Sequence, residues 1–303
     1  MSSIEEIMAE MPEVSKAPEA VQDKPFDKAA WAEQKKAERQ KLFTWIDAMA
    51  ARVGDSETVL KTYLDVQSRF NRYSVGNALL IAMQCAGATQ IKEFEKWKEE
   101  GYVIKKNESA LLILGPGREY QKKDGSVGVS YEVKKVFDVS QTTAENAIMP
   151  KVNWDERLIL RALLTHAPCE VKADTGVIFP EGSSAIYDPR AKTIFVAKEC
   201  GSGDLIKDMA RELAHAYMDP GEGYVREDNQ YKAHCVSYMV CKRYGLDVSE
   251  YGFGEAADHL ADKDAGAVRA ELNEIREVFN KLESDMRRVL DQQKEPKARD
   301  EAR

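Results

Sequence analysis

The sequence predicts an α+β protein of two domains: an N-terminal domain of helices followed by a small antiparallel sheet, then a C-terminal helical domain with a short sheet. Three observations carry this. Apolar residues recur at helical spacing as far as residue 100, the period then drops toward two, and a helix-rich pattern with short apolar runs resumes after residue 153. The 303 residues suit two units of about 100–150 each.

Residues 1–25 hold three prolines, six acids against two lysines and no aromatic residue. They lack the apolar area to offset ordering entropy and are expected to form a disordered leader. The first domain spans 26–143. Trp31, Leu42, Trp45, Ile46 and Met49 mark one amphipathic helix, and Ser56 caps a second that carries Leu60, Tyr63, Leu64 and Phe70. Further helices are expected over 76–83 and 89–100. Residues 110–114 read as a buried strand, and 118–139 as a hairpin turning at Lys123-Asp124-Gly125.

A linker covers 144–153, and the second domain covers 154–260. It opens with a helix over 154–164, continues through short strands near Val171, 185–187 and 193–196 with an Asp188-Pro189 turn, and ends in helices over 204–217 and 229–244. Residues 261–290 form a last helix, with Val268, Leu272, Ile275, Val278, Phe279 and Leu282 on its apolar face. Residues 291–303 form a frayed tail.

The formal charge is −8, which disfavours a uniformly basic surface for duplex DNA. The charge is unevenly spread: residues 26–140 are net +3 and residues 151–260 net −5. No apolar run approaches the roughly 18 residues of a membrane span, and acids stand where a signal peptide has its basic region, so a cytoplasmic protein with no membrane partner is expected. Cys85, Cys169, Cys200, Cys235 and Cys241 include no C-x-x-C pair, which argues against a disulfide framework and a thiolate zinc site.

Met209-Ala210-Arg211-Glu212-Leu213-Ala214-His215-Ala216 has the outline of the zincin motif H-E-x-x-H on a helix. In that motif two imidazoles at i and i+4 converge on one zinc and the intervening Glu polarises its water. Arg211 stands in place of the first histidine. A guanidinium offers no lone pair and repels a divalent ion by several kcal/mol at about 4 Å, so peptidase activity is not expected. Glu212 remains as a candidate general base. His215 and His234 remain as candidate ligands for zinc, with Glu222, Glu227 or Asp228 available as acidic partners. An active metal-dependent peptidase built on these residues is the alternative, and a protein-interaction module is a third reading.

Tyr73-Ser74-Val75-Gly76-Asn77-Ala78-Leu79-Leu80-Ile81-Ala82-Met83-Gln84, with Phe94-Glu95-Lys96-Trp97-Lys98 and Val133-Lys134-Lys135-Val136-Phe137-Asp138-Val139-Ser140-Gln141-Thr142, resembles the N-terminal domain of the ArdC antirestriction proteins of conjugative elements. The resemblance covers roughly residues 28–143. Ile186-Tyr187-Asp188-Pro189, Arg211 to Ala216 and the stretch from Ala233 to Gly254 are similar to the zincin-type metallopeptidase domain that follows in that family. Two departures fall on its chemistry: the family has His at the place of Arg211, and an acidic ligand near the place of His234.

The resemblance implies a sequence-independent single-stranded DNA-binding N-domain of a mobile genetic element, a degenerate metallopeptidase-like second domain, and a host restriction or defence protein as a further partner. Tyr73, Trp97, Tyr102, Tyr120, Tyr131 and Phe137 are the candidate stacking faces, although their spacing also suits core residues. Arg72, Lys105, Lys106, Lys122, Lys123, Lys134 and Lys135 are the candidate phosphate contacts, and Asn77 joins them as a polar one. Lys134 and Lys135 must point to opposite faces of a strand.

Overall fold

Asp27 starts the first helix by accepting hydrogen bonds from the amides of Ala29 and Ala30 at 2.9 and 3.0 Å. That helix is α1 (Lys28–Asp55) of the computed structural model, which describes residues 27–122, 124–144, 154–174, 176–198 and 200–293. The expected leader lies outside the described residues, as do the linker apart from Ala144 and the tail apart from Asp291–Gln293. Ser56 and Ser74 cap α2 (Glu57–Arg69) and α3 (Val75–Cys85) in the same way.

The first sheet is fully antiparallel in the order β1-β3-β2, with β1 (Ile91–Glu93), β2 (Leu111–Gln121) and β3 (Val127–Asp138). Two expectations are corrected here. The helix expected over 89–100 is split, because Ile91, Lys92 and Glu93 pair with Asp138, Phe137 and Val136, which leaves only α4 (Phe94–Glu99) helical. The separate strand over 110–114 and the first arm of the hairpin are one strand, β2. Its register shifts between Pro116 and Glu119, where a bulge accommodates a proline that looks like a break in sequence. The turn falls where expected, with Gly125 at φ +82° and its amide bonded to the Lys122 carbonyl at 3.0 Å.

The outer edge of β2 is closed by two side chains of α3. Asn77 accepts from the Leu114 amide and donates to its carbonyl, both at 2.8 Å, and Gln84 does the same for Leu112, both at 2.9 Å. The two amides sit seven residues apart on one helix face, matching alternate backbone groups of the strand. Asp138, 1% exposed, accepts from the amides of Thr89, Gln90 and Ser140 and so ties the start of β1 to the end of its partner β3.

The second half begins with α5 (Glu156–Thr165) and a mixed sheet of order β4-β6-β5. In it β4 (Glu170–Asp174) runs parallel, and β5 (Ala185–Asp188) antiparallel, to β6 (Thr193–Ala197). Four helices follow: α6 (Ser202–Met218), α7 (Arg226–Tyr244), α8 (Gly254–Ala261) and α9 (Ala265–Leu290). The sequence pattern missed α8, a helix of two turns that opens on glycine, and placed the start of the last helix at 261, where α8 ends. Gly245, at φ +77°, ends α7 in the left-handed conformation that glycine adopts without strain.

Each half carries its own sheet, and one continuous buried core joins them, running from Ile46, Leu60 and Leu79 to Met209, Leu213, Met239 and Phe279. Helix α9 packs on α1 and α3 of the first half and on α5, α6 and α7 of the second, while α7 packs on α2. Polar contacts stitch the same seam. Arg243 donates to the Ser68 carbonyl at 2.7 Å, Arg276 to the Tyr73 carbonyl at 2.9 Å, and the Phe253 amide to Glu57 at 2.6 Å. Among the described residues no helix is long and apolar enough to cross a membrane.

Candidate functional site

Helix α6 carries the degenerate motif, and its polar face is turned toward β5. Asp208 accepts from the Ser184 amide and hydroxyl at 2.6 and 2.7 Å, and Glu212, one turn on, accepts from the Tyr187 amide at 2.8 Å. Asp219 accepts from the Tyr187 hydroxyl at 2.8 Å. Asp208 and Glu212 thus take up the amides of Ser184, just before β5, and of Tyr187 within it. Arg211 pairs with Asp208 and reaches Glu212 at 3.3 Å.

A second guanidinium completes the cluster. Arg226, at the start of α7, sets Nη2 2.7 Å from Oε1 of Glu212 as a donor, and Nη1 at 2.7 Å from Oε2 as an ion-pair contact outside hydrogen-bond geometry. Glu212 is fully buried. Burial opposes its charge, and Arg226 together with the Tyr187 amide outweighs burial, holding the carboxyl below its ordinary range.

His215, also fully buried, has both ring nitrogens engaged: Nδ1 with the Tyr224 hydroxyl at 2.5 Å and Nε2 with Oε1 of Gln230 at 3.1 Å. An amide oxygen only accepts, so this pairing assigns the proton to Nε2 and the lone pair to the tyrosine O–H. Burial first, then the Arg226 charge, push the imidazole down to about 4. His234 lines a depression with Asp208 and Arg211, but its Nε2 is on the Gly252 carbonyl at 2.9 Å and its ring lies against Tyr251 and Phe253.

The residues expected to meet DNA scatter. Trp97 is 1% exposed and donates its indole N–H to the Phe137 carbonyl at 2.9 Å, so it offers no face for stacking. Asn77 is consumed by the β2 edge and is a fold residue; Asn77→Ala is expected to cost about 1–3 kcal/mol in urea unfolding, because Leu114 loses both partners, with nucleic-acid affinity unchanged. Tyr73 is half-buried edge-on to Phe70. Arg72 is exposed in the loop before α3, Lys105 donates to the Ser140 carbonyl at 2.8 Å, and Lys106 and Lys122 are exposed. Lys123 lies outside the described residues. Lys135 is exposed on one face of β3, whereas Lys134 lies on the other with its stem over Gly115, where a Cβ would come within 2.6 Å. Tyr120 and Tyr131 stay about half exposed, Tyr131 edge-on to Phe43 of α1 at 6.3 Å.

A groove of about 400 Å³ separates the first turns of α1 from the hairpin. Trp31, 47% exposed, lines it with Lys35 and Arg39 from α1 and Arg118 from β2. Among the described residues the guanidiniums of Arg39 and Arg118 have no hydrogen-bond or ion-pair partner. Trp31, Lys35 and Arg39 were overlooked in sequence, although their spacing of four residues places them on one helix face.

No protein-family profile matches this chain. It is 23% identical over 246 residues to an uncharacterized Bacillus anthracis protein, pXO2-81, an alignment over 60% of this chain and 40% of that protein. The chain thus spans about two fifths of the length of that curated relative. Two crystal structures of the antirestriction ArdC protein from the R388 plasmid, metal-free and Mn(II)-bound, are 15% and 14% identical to it. Each covers 71% of this chain; 86% and 85% of their own chains are covered, with TM-scores of 0.49 and 0.48. The chain is similar to ArdC.

Whether the donors gathered around Arg211 suit a divalent ion follows from their own chemistry. They do not fit it. Arg211 and Arg226 bring two positive charges onto Glu212, His215 has no free lone pair, and His234 is turned to Gly252. Among the described residues no group of three or more His, Cys, Asp or Glu side chains gathers as a metal site. The two histidines expected to share a zinc are therefore separated, and Glu212, expected as a remnant base, is held by protein cations.

Proposed function

We propose that this chain is a single-stranded DNA-binding protein of the antirestriction type, belonging to a mobile element, whose metallopeptidase-like half is a scaffold without catalysis. The observation that carries the reading is the groove between α1 and the hairpin, which sets an exposed indole beside three cations. Stacking on an aromatic face with charge along the backbone is the chemistry of sequence-tolerant single-strand binding. The antirestriction context rests on the sequence motifs that resemble the ArdC proteins. The lack of catalysis is supported by the two arginines at Glu212, which hold its carboxylate in ion pairs where a zincin would use it as a base on metal-bound water.

Fluorescence anisotropy with a 20-nucleotide oligo-dT and a duplex of the same length tests it. The single strand is expected to bind more tightly, with log K falling linearly in log salt. Trp31→Ala is expected to weaken binding by 1–3 kcal/mol, about 5- to 150-fold. Equal affinity for duplex, or no salt dependence, overturns the binding reading. Stoichiometric zinc lost on His215→Ala, with peptide cleavage lost on Glu212→Gln, overturns the scaffold reading in favour of a peptidase.

A further inference from the structure

A second basic surface lies along α9, away from the hairpin. Three adjoining depressions of about 360, 220 and 530 Å³ run down its flank, the first and second sharing Glu283 and Arg287, the second and third sharing Asn280 and Ser284. Eight Lys or Arg side chains line them against four carboxylates. The lining comes from both halves of the chain: Arg69 and Arg72 from the end of α2 and the loop after it, Lys242 from α7, and Arg276, Lys281 and Arg288 from α9.

Half of these eight cations are ion-paired within the protein, Lys242 with Asp65 at 3.2 Å, Arg288 with Asp285 at 3.5 Å, and Arg243 and Arg287 with Glu283; among the described residues Arg69, Arg72, Arg276 and Lys281 carry charge that no ion pair neutralises. The buried Glu283 alone serves Arg243 and Arg287, at 2.7 and 2.6 Å, and also accepts from the Tyr244 hydroxyl. Arg69 and Arg276 spend their donors on backbone carbonyls. Among the described residues Arg72 and Lys281 have no hydrogen-bond or ion-pair partner. Gathering like charge in a recess is unfavourable unless a polyanion completes it, and guanidinium forks match phosphate oxygens in pairs.

Two further features select the kind of polyanion. Trp154 lines one end of the groove, half-buried and edge-on to Tyr244 at 6.3 Å, so the groove has an aromatic wall at that end. At the junction of the second and third depressions Oδ1 of Asn280 is buried without a partner, while its amide nitrogen donates to the Asn71 carbonyl at 3.1 Å. That acceptor calls for a donor, which the ring N–H of an unpaired thymine supplies and carboxylate side chains of an acidic protein do not. From Arg276 to Arg287 the helix rises about 17 Å, the reach of several nucleotides.

We propose that the α9 groove binds the phosphate backbone of single-stranded nucleic acid as a second site, so that a long strand engages both halves of the chain. The inference rests on the proposed preference for single strands and uses a different surface. In the test, the full chain is irradiated with 5-iododeoxyuridine-substituted oligo-dT of 40 nucleotides, and adducts are mapped by mass spectrometry. Anisotropy is measured in parallel for Arg72→Ala/Lys281→Ala/Arg288→Ala and for Lys35→Ala/Arg39→Ala/Arg118→Ala, both sets being surface changes.

Adducts at Trp154 or its neighbours are expected, and the α9 triple variant is expected to lose at least tenfold in affinity. Its salt slope should fall by about 2, for three phosphate contacts at about 0.7 each. Adducts confined to α1 and the hairpin, with the α9 variant binding as the parent does, overturn the second site and leave the first. Adducts confined to the α9 groove, with the hairpin variant unaffected, support the second site and overturn the first. Absence of both adducts and binding overturns both.

Discussion

Arg226→Ala is expected to destabilise the protein by about 3–5 kcal/mol, the cost of leaving a buried carboxylate without its main counter-charge. Glu212 is 0% exposed and cannot turn to water. What remains beside it is the Tyr187 amide at 2.8 Å and Arg211 at 3.3 Å, the latter already committed to Asp208. Urea unfolding of Arg226→Ala, Glu212→Gln and the double variant measures the effect. The double variant should be more stable than Arg226→Ala alone, because a neutral amide keeps the Tyr187 bond without stranding a charge. A loss under 1 kcal/mol for Arg226→Ala would show that water reaches Glu212 and that the cluster is not the closed unit described above.

Acidification from pH 6.5 to 4 is expected to remove on the order of 3 kcal/mol through His215 alone. Its pKa is pushed down to about 4 in the folded protein, chiefly by burial, from an ordinary value of 6.5. Above pH 6.5 the ring is neutral in both states and its contribution is complete. Between 6.5 and 4 the unfolded chain takes up a proton that the folded one refuses, so stability falls with pH across that window. Thermal melts of the parent and of His215→Gln at half-unit steps check this: the parent curve should drop more steeply between 6.5 and 4. Parallel curves would mean that the imidazole charges in place, with the Tyr224 and Gln230 bonds rearranged.

Much of the architecture was readable because single residues with one dominant physical role marked it. Ser56 is a helix cap by type and position, Gly125 takes positive φ where the hairpin must turn, and the apolar spacing from Val268 to Leu282 gives α9 with its end at Leu290, though the helix starts at Ala265 and not at 261. The short strand β1 was not readable, because Ile91-Lys92-Glu93 has no alternation of its own and is a strand only through β3.

At the site the division follows the same physics. Arg211 announces itself, since a guanidinium cannot ligate a metal wherever it sits. The fate of Glu212 and His215 depended on Arg226, Tyr224 and Gln230, which come from a loop and the next helix and are joined to the motif only by folding. The motif that carries the family resemblance was read toward DNA, yet Asn77, Gln84, Trp97 and Asp138 are spent on edge amides, an indole bond and strand ends. Residues repeated in a motif need not be residues that meet a ligand.

The position of α9 in the core has a consequence for how the chain is made. The apolar faces of α1 and α3 are complete once Cys85 has been added, but the helix that covers part of them ends at Leu290, about 205 residues later. At about 5–20 residues per second, those faces wait about 10–40 s beside a growing chain before their partner leaves the ribosome. During that interval the nascent first half is a client for holding chaperones, and slow codons between α3 and α9 would lengthen its exposure.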